Sequence, residues 1–116
     1  MSATIKPSKE FFFTNQEKWE QVDPKIQRQI HGTDEKIMLV QAKFEAGGVG
    51  QLHQHYHSQV TYVASGEFEM TIGNEVKIIK KGDSYYIPPH VMHGCTCLKA
   101  GTLIDVFSPY REDFLT

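Results

Sequence analysis

Histidines recur at every second position in His53-Gln54-His55-Tyr56-His57-Ser58-Gln59, and that period limits what the chain can fold into. On a helix, residues two apart point in different directions, whereas on a strand alternate side chains share a face. The segment therefore reads as a strand with His53, His55, His57 and Gln59 projecting to one side. Imidazoles on the inner face of an ordinary sheet each need a polar partner, or burial costs several kcal/mol. A metal ion relieves that cost, because neutral imidazole is its commonest protein ligand. A lone histidine is more often a hydrogen-bonded or solvated residue than a ligand. The cluster is what points to a metal.

The rest of the chain is organised around strands and tight turns. Residues 1–24 are mixed, with Phe11 to Phe13, Trp19 and Val22 available to cover one end of a core or to meet a neighbouring subunit. Asp23-Pro24 signals a turn, and Lys25 to His31 reads as a short strand anchored by Ile26 and Ile30. Ile37 to Phe44 forms the next strand, and Val60 to Ala64 another. Phe68, Met70 and Ile72 alternate with Glu67, Glu69 and Thr71, the period of a half-buried strand. Gly73-Asn74 closes a hairpin into Val76 to Ile79. Tyr85 to Ile87 precede Pro88-Pro89, which bars a helix or a central strand there. Val91 to Leu98 and Thr102 to Phe107 make a last hairpin through Lys99-Ala100-Gly101, with room for a helical turn at the C-terminus. Short antiparallel strands at regular spacing predict an all-β sandwich or barrel.

Bulk properties exclude several partners. A length of 116 residues suits one domain, 1–116. A net charge of −2 and a pI near 6.3 give no case for nucleic acid or an anionic membrane surface. Lys80-Lys81 is too short for a basic patch and reads as a solvated turn. No apolar run reaches the ~20 residues that span a bilayer, and Phe11-Phe12-Phe13 is not a secretory signal. The expectation is a cytoplasmic protein. Cys95 and Cys97, two apart on one strand, are poorly placed for a relaxed disulfide and read as buried free thiols.

Two spaced blocks carry a resemblance. The first is Gly47, five residues, His53, one residue, His55, three residues, Gln59, six residues, Gly66. The second is Gly82, five residues, Pro88, then His93, three residues, Cys97. Together they resemble the two motifs of the cupin superfamily, which implies a double-stranded β-helix or jelly-roll barrel over a motif core of about 37–107, with an N-terminal arm at 1–35. The resemblance implies metal ligation by His53, His55, Gln59 and His93. It also implies one divalent transition-metal ion; imidazole ligands suit nickel, manganese, iron, cobalt or zinc alike. Gln59 stands where the family usually has glutamate, His90 where it has glycine and Cys97 where it has asparagine. His57 matches no ligand position and is assigned to the pocket rim, and His90 to a structural role.

The tail, from Ala100 to Leu115 with Asp105-Val106-Phe107-Ser108-Pro109-Tyr110-Arg111 at its centre, resembles the small bacterial cupins of pectin and alginate degradation, as does Ser58 to Val63. That resemblance implies a small anionic sugar as substrate and a ring-opening lyase activity that turns 4,5-unsaturated monouronates into 5-keto-4-deoxyuronate. The positions implicated match Asp105 as general base, Phe107 as an apolar wall and Arg111 as the partner of the substrate carboxylate. Each has a plainer reading: Asp105 on a solvent face, Phe107 in the core, Arg111 paired with Glu112 or Asp113 at the surface. Two other functions share the scaffold, a dioxygenase of the flavonol-cleaving type and a non-catalytic sugar- or metabolite-binding module. An exposed strand edge and the apolar N-terminal residues point to a homodimer.

Overall fold

Runs rich in β-branched and aromatic residues, broken by glycine and proline turns, become antiparallel strands in the computed structural model, which describes residues 5–116. They are β1 (Glu20–Asp23), β2 (Ile26–Thr33), β3 (Met38–Phe44), β4 (Val49–His53), β5 (Ser58–Val63), β6 (Glu67–Ile72), β7 (Glu75–Lys80), β8 (Ser84–Ile87), β9 (His93–Lys99) and β10 (Gly101–Ser108). One sheet has the order β1-β2-β3-β10-β5-β8 and the other β4-β9-β6-β7. Neighbours that are distant in sequence, such as β10 between β3 and β5, give the jelly-roll wrap. Among the described residues the only helical pieces are short 3-10 turns at Thr14–Gln16 and Glu112–Leu115.

The alternation in β6 plays out as its period predicts. Phe68 and Met70 point into the sandwich and are buried, while Glu69 between them is exposed. Phe68 meets Phe44 edge to face, with ring centroids 5.3 Å apart. With Ile26, Val63, Cys97 and Leu103 they make one apolar cluster. Met38, Val40 and Phe107 make a second, backed by Ile30, Tyr110 and Phe114. Full burial of a side chain such as Phe68 is worth roughly 1.5–3 kcal/mol.

Strand register sets polar residues between these clusters. On the inner face of the larger sheet, Val40, Asp105, Thr61 and Tyr85 stand opposite one another across β3, β10, β5 and β8. The next row holds Met38, Phe107, Gln59 and Ile87, and the row on the other side Arg28, Ala42, Leu103 and Val63. A sheet interior that interrupts two apolar clusters with Asp, Thr, Gln and Arg needs a reason beyond stability.

Close backbone approach explains two glycines. A Cβ on Gly101 would lie 2.1 Å from the Ser65 carbonyl oxygen, and one on Gly66 2.6 Å from the Gly101 Cα. Gly66 also has φ +85°, a conformation costly for other residues. His90, at the position where the family pattern has glycine, carries φ 66°. The departure at that position keeps the backbone and changes only the side chain, which points to solvent.

The N-terminal segment differs from expectation. Its Glu20-Gln21-Val22-Asp23 forms β1, an edge strand with no apolar alternation to announce it. The 3-10 turn ahead of it is tied down by Gln29, fully buried, whose Nε2 donates to the carbonyls of Thr14 at 2.9 Å and Glu17 at 3.1 Å. Phe12 stacks on His31, whereas Phe11 and Phe13 remain exposed.

Candidate active site

The histidine segment is not one strand. β4 ends at His53, a loop carries His55 and His57, and β5 begins at Ser58. The single-strand reading therefore fails: the loop turns His55 toward His53 and turns His57 away. β9 runs beside β4 with His93 opposite His53. The ring centroids of His53 and His93 lie 4.3 Å apart, those of His55 and His93 4.8 Å, and those of His53 and His55 5.6 Å.

Each of these rings is held by a backbone carbonyl. Nδ1 of His53 donates to Gln51 O at 2.7 Å, that of His55 to His57 O at 3.1 Å and that of His93 to Val91 O at 2.9 Å. With the proton on Nδ1, Nε2 presents its lone pair, and nitrogens of the three rings lie within 4.8 Å of one another. His93 Nε2 is buried and has no hydrogen-bond partner. Burial lowers the pKa of both His55 and His93; for His55, Arg111 and His93 add to the effect and bring it to about 4. His55 and His93 are thus neutral near pH 7. Convergent neutral imidazoles with an orphaned buried nitrogen fit a divalent metal ion.

Gln59, buried on β5, extends this cluster inward. Its Oε1 lies 3.1 Å from His55 Nε2, and its Nε2 donates to Thr61 Oγ1 at 3.0 Å and to Asp105 Oδ1 at 3.3 Å. Thr61 in turn donates to the same Asp105 oxygen at 2.7 Å. Both donors therefore occupy Oδ1 and leave Oδ2 outside their network. Asp105 faces the interior rather than solvent, and burial pushes its carboxyl up to about 6 against the pull of Thr61 and Arg111. A carboxyl with that affinity can hold or release a proton near neutrality.

His53, Gln59, His93, Tyr85, Asp105, Phe107 and Arg111 line one cavity of about 200 Å³. Burial, then the neighbouring Asp105, holds the Tyr85 hydroxyl well above its ordinary pKa. Phe107 is both core and wall, buried in its cluster with one face on the cavity. Arg111 is buried rather than a surface residue, and its guanidinium lies over the rings of Phe107 at 4.9 Å and Phe114 at 4.2 Å. Its fork is engaged: Nε and Nη2 bond Asp113 at 3.0 and 2.8 Å.

His57 does not sit at an exposed rim. It is 2% exposed, stacked on Tyr56, with Nε2 3.2 Å from Glu112 Oε1. Tyr56 bonds the other oxygen of Glu112, so the loop that delivers His55 is fastened to the tail that delivers Arg111. Cys97 is buried and Cys95 half-buried against the cavity; both are free, and burial pushes the Cys95 thiol up to about 11. A thiol so protonated is a poor ligand or nucleophile.

Sequence reasoning missed Arg28, Thr61 and Tyr85. The parity of Ile26 and Ile30, both recognised as anchors, puts Arg28 on the same inner face; Gln59 and Asp105 do the same for Thr61.

The sequence pattern of the cupin domain matches residues 40–107, and the chain belongs to the cupin family. More narrowly, it is 40% identical over 107 residues to the pectin degradation protein KdgF of Dickeya dadantii, spanning 90% of this chain and 97% of that one. Among solved structures, an RmlC-like cupin from Shewanella frigidimarina superposes with a TM-score of 0.92 at 42% identity, covering 95% of this chain and 99% of that one. KdgF from a Halomonas species gives 0.88 at 39% identity, covering 90% and 99%. No helix among the described residues is long and apolar enough to cross a membrane.

Proposed function

We propose that this cupin is a metal-dependent enzyme that opens the ring of 4,5-unsaturated monouronates to give 5-keto-4-deoxyuronate. The observation that carries the reading is the shared cavity. Gln59 links an imidazole cluster to Asp105, and Asp105 lines the same space as His53 and His93. Similarity to proteins named for pectin degradation supplies the substrate class.

His53, His55, Gln59 and His93 would hold the ion, all of them neutral donors. When bound, it supplies Lewis-acid stabilisation of negative charge on substrate oxygens. The substrate is a hemiacetal whose ring oxygen is bonded to an alkene carbon. Asp105 Oδ2 takes the anomeric hydroxyl proton, the C–O bond to the ring oxygen breaks, and the aldehyde forms. The released enolate gains a proton at the neighbouring carbon and becomes a ketone. One proton leaves oxygen and one joins carbon, so the reaction is an isomerisation that needs no co-reactant. Phe107 packs against the sugar ring, and the charge of Arg111 draws the anionic substrate in.

The test is to mix the metal-loaded protein with unsaturated monouronate and follow loss of the alkene absorbance. Loss without oxygen uptake supports the ring-opening reading. Oxygen consumption with an aromatic substrate would replace it with a dioxygenase, and binding without turnover with a sugar-binding module.

A further inference from the structure

The cavity holds a second guanidinium, on the strand that sequence motifs leave aside. Arg28 of β2 projects inward between Ile26 and Ile30 and lines the same space as Asp105, His93 and Arg111. Across the sheet its neighbour is Ala42, whose small side chain leaves room over β3 for the long arginine to reach the cavity. Its guanidinium lies 3.9 Å from the centroid of the Phe114 ring, and that of Arg111 4.2 Å from the same ring. Phe114 thus serves both arginines.

The two differ in what occupies them. Asp113 takes Arg111 through a pair of parallel bonds. Among the described residues Arg28 has only Glu20, a loose contact of 3.5 Å from Nη2 to a carboxylate whose side chain is 43% exposed. Its Nε is buried and has no hydrogen-bond partner. A buried guanidinium donor without an acceptor is costly, and the Arg28 side chain is 22% exposed. Planar carboxylates satisfy such a fork with two parallel bonds.

We propose that Arg28 is the residue that grips the carboxylate of the substrate, with Arg111 kept as a fixed positive wall by Asp113. The assignment rests on the uronate reading above and changes which side chain sets specificity for an acidic over a neutral sugar. Phe114 holds the Arg28 guanidinium in place, and Asp113 keeps Arg111 from competing for the same anion.

Titration calorimetry on the metal-loaded protein with galacturonate and with galactose tests this directly. The parent should bind galacturonate at least ~10-fold more tightly than galactose, as expected of a paired charge-assisted contact. Arg28→Gln should lose that preference while keeping its metal content. Arg28→Lys keeps the positive charge beside Phe114 but not the planar fork, and should lose most of the preference with the fold intact. Parent-like preference for galacturonate in either folded variant overturns the assignment, as does a parent that binds the two sugars alike. The outcome is separable from the ring-opening reading. A parent that prefers galacturonate through Arg28 but leaves the alkene intact supports the assignment and rejects the lyase. A parent that turns over, with an unchanged KM in Arg28→Gln, rejects the assignment and keeps the lyase.

Discussion

Gln59 donates its amide hydrogen to Asp105 Oδ1 across 3.3 Å, while its other end faces His55 Nε2 at 3.1 Å. One side chain therefore meets two different requirements. Its oxygen joins the imidazole cluster, and its nitrogen supports a carboxylate that burial would otherwise leave poorly solvated. A glutamate at this position could do the first and would oppose the second.

Gln59→Glu is accordingly expected to slow turnover by ~10-fold or more while retaining metal more firmly, since it adds a charge beside both the ion and Asp105. Metal content measured with steady-state kinetics on monouronate checks both halves. Parent-like turnover in the fully loaded variant would show that the amide is incidental.

Asp105→Asn keeps the shape and removes the proton acceptor. Turnover should fall by at least ~10²-fold, with metal content and monouronate affinity preserved. Single-turnover kinetics beside a binding isotherm separate the two effects, and wild-type rates would sink the assigned base.

Chelation should lower the melting temperature as well as abolish activity. A ligand that binds only the folded state at about 100 times its Kd adds ~2.7 kcal/mol, and the orphaned His93 Nε2 is the group left without a partner when it goes. A thermal melt before and after chelator, with re-addition of single divalent ions, reads this out. An unchanged melt together with metal-free elemental analysis would contradict a metal centre.

Asp113→Asn is expected to cost stability only above acidic pH. The Arg111 hydrogen bonds hold the Asp113 carboxyl below its ordinary value of 3.8. A depressed native pKa contributes stability above the unfolded value, and that contribution disappears as pH falls through the native one. The parent and the variant should therefore differ at pH 7, begin to converge near pH 4, where the unfolded carboxylate titrates, and coincide only below the lower native value. Asp113 is largely exposed, with side-chain exposure of 54%, so the difference should stay under ~1 kcal/mol. Denaturant melts at both pH values check it.

The parts of this molecule legible in its sequence are those governed by short-range period. The alternation of Phe68 and Met70 with charged residues placed β6, and the turn glycines placed its hairpin partner. The convergence of His53, His55, Gln59 and His93 was legible because two fixed spacings coincide. His57 was not, because a loop rather than a strand sets its direction, and its Glu112 partner lies far along the chain. β1 was hidden because an edge strand of Glu-Gln-Val-Asp buries too little to show a pattern. Arg28 looked like one more polar residue among glutamines. Its meaning depends on Phe114 and Asp113, which arrive from the other end of the sequence.

The tail from Tyr110 to Phe114 has a consequence for how such a pocket could diversify. The groups that would break and make bonds stand on β4, β5, β9, β10 and the loop before β5, while the two arginines meet on a ring supplied by a short 3-10 turn. That ring also stands edge to face with Phe107, 5.7 Å away, and the neighbouring Glu112 ties the loop of His55. A change at Phe114 would therefore alter which acid enters and the wall it packs against in one step.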